Sequence, residues 1–306
     1  MKVFITGSTG FVGSYILREL LSRQHEVVAL VRPGSASRLP LPEDKITRVQ
    51  GDITDPDTYH PALQTCDAVI HLVGVIREFP RRGITYQKLH VDATRDLLRA
   101  SEESCVAKFI HMSALGAHHG SASGYFHSKA KAEDLVRNSP LETTIFRPSI
   151  IFGPGDDFIN YFANIIRRFH LIPIIGSGKY RMQPVHITNL STAFVNSLET
   201  DQTTGQNYEI GGPDIYEFRE MMEVIKSVLD TWAIPVYNPK LLMTGLAKLL
   251  QRFPFFPVTE DQIIMLYDEN ITDDDRIYRQ LNITPIPFEA GIREYLGTSS
   301  APEYSS

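Results

Sequence analysis

Gly7, Gly10 and Gly13 fall between a short β-rich run, Lys2 to Thr6, and a stretch from Phe11 to Arg23. In that stretch Val12, Ile16, Leu17, Leu20 and Leu21 lie on one helical stripe. A strand that turns sharply into a helix through glycines at this spacing can hold an anion. One glycine makes the tight turn, one lets the backbone approach a diphosphate, and one lets the helix pack against the strand. The first helical N–H groups have no intrahelical acceptor and present a partial positive charge. The spacing is G-x-x-G-x-x-G rather than the standard G-x-G-x-x-G, but the strand–turn–helix context is the one the chemistry requires. Gly7, Thr9, Gly10, Phe11, Val12 and Gly13 are therefore expected to line a bound NAD or NADP.

The second apolar run, Glu26 to Val31, ends on Arg32. An NAD site usually carries a carboxylate here to accept from the ribose 2′-hydroxyl. A guanidinium cannot accept, but it can fork onto a 2′-phosphate. Arg32, assisted by Arg38, thus points to NADP (NADPH) over NAD, with NAD still possible. The alternative leaves Arg32 stacked on adenine or facing solvent. Asp52 and Ile53 follow a third run, Ile46 to Gln50. Asp52 is expected to accept from the adenine amino group, unless it or Asp55 merely caps a turn.

Tyr125 and Lys129 are four residues apart within a helical stretch, Tyr125 to Arg137, so they share a face. His111, His118, His119 and His127 cluster around them. They lack metal-type spacing, so no metal is expected. His118 lies in the loop bordering this helix and could contact substrate. Lys240 to Arg252 carries several leucines with basic residues and runs into Pro254-Phe255-Phe256-Pro257. The segment 240–257 reads either as a peripheral membrane or partner-binding helix or as a core helix with snorkelling lysines. Asp273 to Asp275 precede a helical stretch and suit its N-terminus.

Strands and helices must alternate to position these groups. Further strands are expected over Ala68–Leu72, Lys108–Met112 and Thr143–Phe146. Helices are expected near Pro56 and over Tyr86–Glu103. The strands are continuous apolar runs, as when both faces are covered. This predicts an α/β fold, a Rossmann doubly wound parallel sheet with a smaller, mostly helical C-terminal substrate lobe. The expected division is 1–150 for the dinucleotide domain and 151–298 for the lobe. The lobe is partly interleaved with the sheet, with re-entry near Pro184 to Ile187. A frayed tail is expected over 299–306.

The 306 residues carry a net charge of -6, which argues against non-specific nucleic-acid binding. Cys66 and Cys105 read as small buried core residues in a reducing compartment. No run is long enough to span a bilayer, and the glycines begin too early for a signal peptide. A cytoplasmic protein is expected, peripheral at the membrane if 240–257 binds there.

Together the segments resemble the short-chain dehydrogenase/reductase superfamily in its extended and atypical branches. Met112-Ser113-Ala114-Leu115-Gly116-Ala117 and Gln183-Pro184-Val185-His186 resemble the branch containing the nucleotide-binding accessory subunit of mitochondrial complex I and its bacterial relatives. The resemblance implies that Leu72, Val73 and Gly74 pass the cofactor and that Pro148 lies by the nicotinamide. It also implies that Lys129 holds the ribose and lowers the Tyr125 pKa, so that Tyr125 exchanges a proton with substrate. Ser113 is the hydroxyl left at the strand end, because Ala114 stands where family enzymes carry Ser or Thr. Ser121, Ser123 or a bound water could replace it. His90 stands at a usual asparagine. Arg181 is a weaker candidate for a substrate diphosphate. The substrate itself is not named by these residues. A cofactor-holding subunit without turnover is the competing expectation.

Overall fold

The computed structural model describes residues 1–35, 45–250 and 258–297. Arg38, residues 251–257 and the tail 299–306 lie outside the described residues.

The chain begins β1 (Lys2–Thr6), α1 (Phe11–Ser22), β2 (Glu26–Val31), β3 (Ile46–Gln50) and α2 (His60–Leu63). It continues β4 (Ala68–His71), α3 (Ala93–Glu103), β5 (Lys108–Met112), α4 (Gly124–Arg137) and β6 (Glu142–Pro148). Next come β7 (Ile151–Phe152), α5 (Phe158–Phe169), β8 (Leu171–Ile175), β9 (Arg181–Met182), β10 (Val185–His186) and α6 (Ile187–Leu198). The last elements are β11 (Gln206–Ile210), β12 (Tyr216–Glu217), α7 (Phe218–Val228), β13 (Ile234–Asn238), α8 (Lys240–Leu250), α9 (Glu260–Tyr267), α10 (Arg276–Gln280) and α11 (Phe288–Leu296).

Among the described residues, seven parallel strands form one sheet in the order β11-β6-β5-β4-β1-β2-β3. Val3, Phe4 and Ile5 on β1 are all fully buried, so both faces of the central strand are covered. The chain runs outward from β1 to β3, then returns to lay β4 against the other side of β1. The carboxyl ends of β1 and β4 therefore form the switch point where doubly wound sheets bind ligands. One layer of the core packs Phe4, Val28, Val69, Phe109 and Ile145 against Leu97, Leu98 and Val136 of α3 and α4.

Two compact units emerge. One contains Met1–Pro148, Leu190–Ile210 and Asp274–Ile283; the other contains Ser149–Asn189, Gly211–Asp273 and Thr284–Ser306. The second half of the chain thus serves both units. The second unit has its own core, built on Phe152, Ile166, Phe218, Met221, Phe288 and Ile292.

Three expectations are corrected. The chain re-enters the sheet through β11, not near Pro184 to Ile187. Pro184 has no N–H, and only Val185 and His186 pair, with β7; Gln206–Ile210 offers a five-residue register against Thr144–Pro148. Cys105 is exposed, unlike buried Cys66, because the chain reverses there at φ +57° after α3. The core-helix reading of Lys240 to Arg252 is corrected for its described residues, Lys240–Leu250, where Ala247 alone is buried, Met243, Leu246 and Leu250 are half-buried, and Leu241, Leu242 and Leu249 are exposed. The expected Tyr86–Glu103 helix opens with a wider π-helical turn, Gln87–Asp92, before α3. At the acidic triplet it is Asp274, not the N-cap Asp275, whose carboxylate accepts the Arg276 N–H, at 3.1 Å.

Candidate functional site

The glycine turn closes the end of β1. Gly7 has φ +76°, a conformation that favours glycine, and its carbonyl accepts the Gly10 N–H at 3.0 Å. A Cβ on Gly13 would lie 2.2 Å from the Gly7 oxygen, so only glycine lets α1 start this close to the strand. A Cβ on Gly7 would lie 3.2 Å from the Leu72 Cβ, which places the turn against the segment leaving β4. Gly10 is the N-cap residue of α1, which therefore starts without a side-chain cap and without an acidic residue in its first turn. The Ser8 hydroxyl is buried with no partner among the described residues. Bare N–H groups, an orphaned hydroxyl and a cradle that a Cβ would fill suit a bound diphosphate. Thr9, Phe11 and Val12 are half-buried around this opening.

Arg32 stands exposed at the end of β2 and pairs with no carboxylate among the described residues. Asp52 uses Oδ1 to accept from the Thr54 backbone N–H and hydroxyl, both at 2.9 Å. This is an Asx turn, the alternative weighed for that residue. The Asp52 Oδ2 stays without a partner among the described residues, and Ile53 beside it is buried.

Lys129 is the centre of the second half of the site. It is 2% exposed, and its ammonium donates to the Met112 carbonyl at 3.0 Å. Burial lowers its pKa to about 8, against a smaller opposing pull from Glu133. A Cβ on Gly74 would come 3.1 Å from Lys129 Nζ and 3.4 Å from His90 Nε2, so Gly74 is small because these groups crowd it. Leu72 is buried, Val73 half-buried and Gly74 exposed.

Three buried histidines surround the lysine. Burial first, then the charge of Lys129, pushes His71, His90 and His111 far below the ordinary histidine range, His71 to about 3. All three are therefore neutral, and their hydrogen bonds assign the protons. His90 Nε2 accepts the Val75 N–H at 2.9 Å, so Nδ1 carries the proton and donates to Ser128 Oγ at 2.8 Å. The Ser128 hydroxyl in turn donates to the Tyr125 carbonyl at 2.7 Å. Thr94 donates to the His90 carbonyl, so His71 Nε2 donates to Thr94 Oγ1 at 3.1 Å and the Thr6 hydroxyl donates to His71 Nδ1 at 2.8 Å. This chain of bonds ties β1, β4, the π-helical turn and α4 into one frame. Both nitrogens of His111 lack partners among the described residues.

Tyr125 lies half-buried in the first turn of α4, its ring edge-on to His90 at 5.4 Å and to Tyr86 at 6.0 Å. The Ser113 backbone N–H donates to Phe146 at 2.7 Å, and its buried hydroxyl has no partner among the described residues. Ala114 beside it is buried, and the Leu115 N–H donates to the Pro148 carbonyl at 2.9 Å. Ser123 is committed to capping α4, its oxygen accepting the Phe126 N–H, while Ser121 accepts from the Ser123 N–H. His118 is exposed, with Nδ1 bonded to the Gly116 carbonyl at 2.9 Å. Arg181 is in the second unit, where Glu269 engages its guanidinium at 2.8 and 2.6 Å. Thr6, Thr94 and Ser128 were not anticipated. Ser128 stands three residues after Tyr125, a spacing that signals a back-bond to its carbonyl.

Comparison with known proteins accords with this geometry. Residues 3–211 match the model of the NAD dependent epimerase/dehydratase family. The mouse (Mus musculus) mitochondrial NADH dehydrogenase [ubiquinone] 1 alpha subcomplex subunit 9 is 31% identical over 292 residues, covering 93% of this chain and 77% of that protein. The 3 beta-hydroxysteroid dehydrogenase/Delta 5-->4-isomerase of Mycobacterium tuberculosis (strain CDC 1551 / Oshkosh) is 28% identical, covering 93% of this chain and 86% of that one. In structure, UDP-glucuronic acid 4-epimerase from Bacillus cereus, solved with UDP-glucuronic acid and NAD, superposes with a TM-score of 0.75 at 20% identity, covering 97% of this chain and 99% of that one. That last likeness establishes the Rossmann fold. The matched span carries the glycine turn, the sheet and the Tyr125–Lys129 helix, and the chain belongs to the NAD dependent epimerase/dehydratase family.

Proposed function

We propose that the first unit holds a nicotinamide dinucleotide, NADP(H) in preference to NAD(H), and uses Tyr125 and Lys129 in oxidoreductase or epimerase-type chemistry on a small or nucleotide-linked substrate. The observation that carries this reading is Lys129, a lysine sealed among neutral histidines and held beside the Gly74 backbone. Gly7, Thr9, Gly10, Phe11, Val12 and Gly13 would hold the diphosphate, and Asp52 Oδ2 with Ile53 the adenine. Arg32 would take the 2′-phosphate, and Leu72, Val73, Gly74 and Pro148 the remainder. When bound, the dinucleotide supplies hydride donation or acceptance. The ammonium of Lys129, one helical turn from Tyr125, favours the phenolate, so that Tyr125 exchanges a proton with the substrate oxygen. The unpartnered Ser113 hydroxyl is the donor available to that oxygen, in place of the group that Ala114 lacks.

A second reading has its own support. Ala114 removes one donor, and several relatives are named as NADH dehydrogenase subunits. On that reading the chain is an NADPH-holding accessory or sensor subunit of a larger respiratory or membrane-associated assembly. Single-turnover mixing of the NADPH-loaded protein with a panel of carbonyl compounds separates the two. Nicotinamide oxidation that disappears in Tyr125→Phe supports catalysis. Retained NADPH with no oxidation by any carbonyl supports the accessory role.

A further inference from the structure

Most of the large apolar side chains that stand exposed among the described residues fall on β8, β13, α8 and the turns that lead into them, all in the second unit. Four successive residues of β13, Ile234 to Tyr237, are exposed; Ile234 and Val236 share one face, while Pro235 and Tyr237 border a cleft also lined by Arg219, Glu220 and Glu223. On α8 the exposure of Leu241 reaches 89% and that of Leu249 62%; Trp232, before β13, is 63% exposed. Water does not favour such a surface, and its composition indicates what covers it.

Between Thr231 and Thr259 there is no Asp or Glu, in a chain with 36 acidic residues. Lys240 and Lys248 punctuate the leucines. Lys240 sits 3.6 Å above the Tyr267 ring, and Lys248 pairs with Glu260 at 3.0 Å. Exposed Arg168 lies over the Phe169 ring at the end of α5. Leucines for hydrocarbon, a tryptophan and a tyrosine for the headgroup level, and Lys240, which pairs with no carboxylate among the described residues, match the chemistry of an anionic bilayer surface, while Glu260 already engages Lys248. No helix among the described residues is long and apolar enough to cross a membrane, so the contact is one of lying on the surface.

We propose that the β13–α8 strip, from Trp232 to Leu249, docks the protein on an anionic lipid surface. Docking does not depend on a bound dinucleotide. The test is flotation of the full-length protein with vesicles of phosphatidylcholine, alone or mixed with phosphatidylglycerol. The protein is expected to float with the mixed vesicles and much less with phosphatidylcholine alone. The double variant Leu241→Glu, Leu242→Glu is expected to lose about tenfold in partitioning with an unchanged melting temperature, since both side chains are already exposed. Lys240→Glu with Lys248→Glu is expected to lose a similar factor at low salt and less at high salt. Wild-type protein that stays soluble with the mixed vesicles overturns the proposal. So does undiminished flotation of the leucine variant. A dimer by light scattering that the leucine variant dissociates also overturns it, and assigns the strip to a second copy.

Discussion

At the residue scale, the site depends on one buried charge. The fold holds Lys129 at about 8 against an ordinary 10.5. Unfolding therefore takes up a proton between those values, and stability rises with pH across that window. Below about pH 8 the folded chain bears the full net cost, roughly 3 kcal/mol. Lys129→Met is expected to raise stability by about 2 kcal/mol at pH 7, an advantage that shrinks toward pH 10.5, while hydride transfer is lost. Urea unfolding at pH 7 and 10 checks this; a variant less stable at both would contradict it. A lysine buried at a net cost is a candidate functional group.

At the element scale, helix starts carry the site. Gly13→Ala puts a Cβ against the Gly7 oxygen, so α1 must shift. A loss of about 1–3 kcal/mol is expected, with a matching fall in dinucleotide affinity. Thermal melting and NADPH titration measure the two together. Ser123→Ala removes the cap of α4, expected to cost about 1 kcal/mol. Because Tyr125 is in the first turn behind that cap, turnover should fall as well. These elements were legible in the sequence because they are local. A strand ending in glycines and a tyrosine one turn before a lysine need only nearby residues. The His90–Ser128–Tyr125 frame was not legible, because it forms only when the π-helical turn carries His90 inward against α4. For β11 the strand itself is legible over Asn207 to Ile210, but its place in the sheet was equally hidden. Its pairing with β6 joins residues far apart in the chain, and nothing in Gln206–Ile210 marks it as a sheet edge rather than an isolated strand.

At the scale of the whole molecule, the order of the strands converts scattered residues into a site. Laying β4 beside β1 brings the Gly7 turn against Leu72, and the histidine bonds then fix β4 to α4. The second unit has a separate logic, a compact core with a bare apolar strip rimmed by lysines. The overall charge of -6 conceals that strip, because composition averages over the chain and the acid-free segment does not. In the first unit, the glycine turn and Arg32 are proposed together to hold a phosphorylated dinucleotide. The most direct test of this is nicotinamide fluorescence titration of the wild type and Arg32→Asp with NADPH and NADH. The wild type is expected to bind NADPH at least about tenfold more tightly than NADH, and Arg32→Asp to reverse the order. Tighter NADH binding by the wild type, or no binding of either nucleotide, would contradict it.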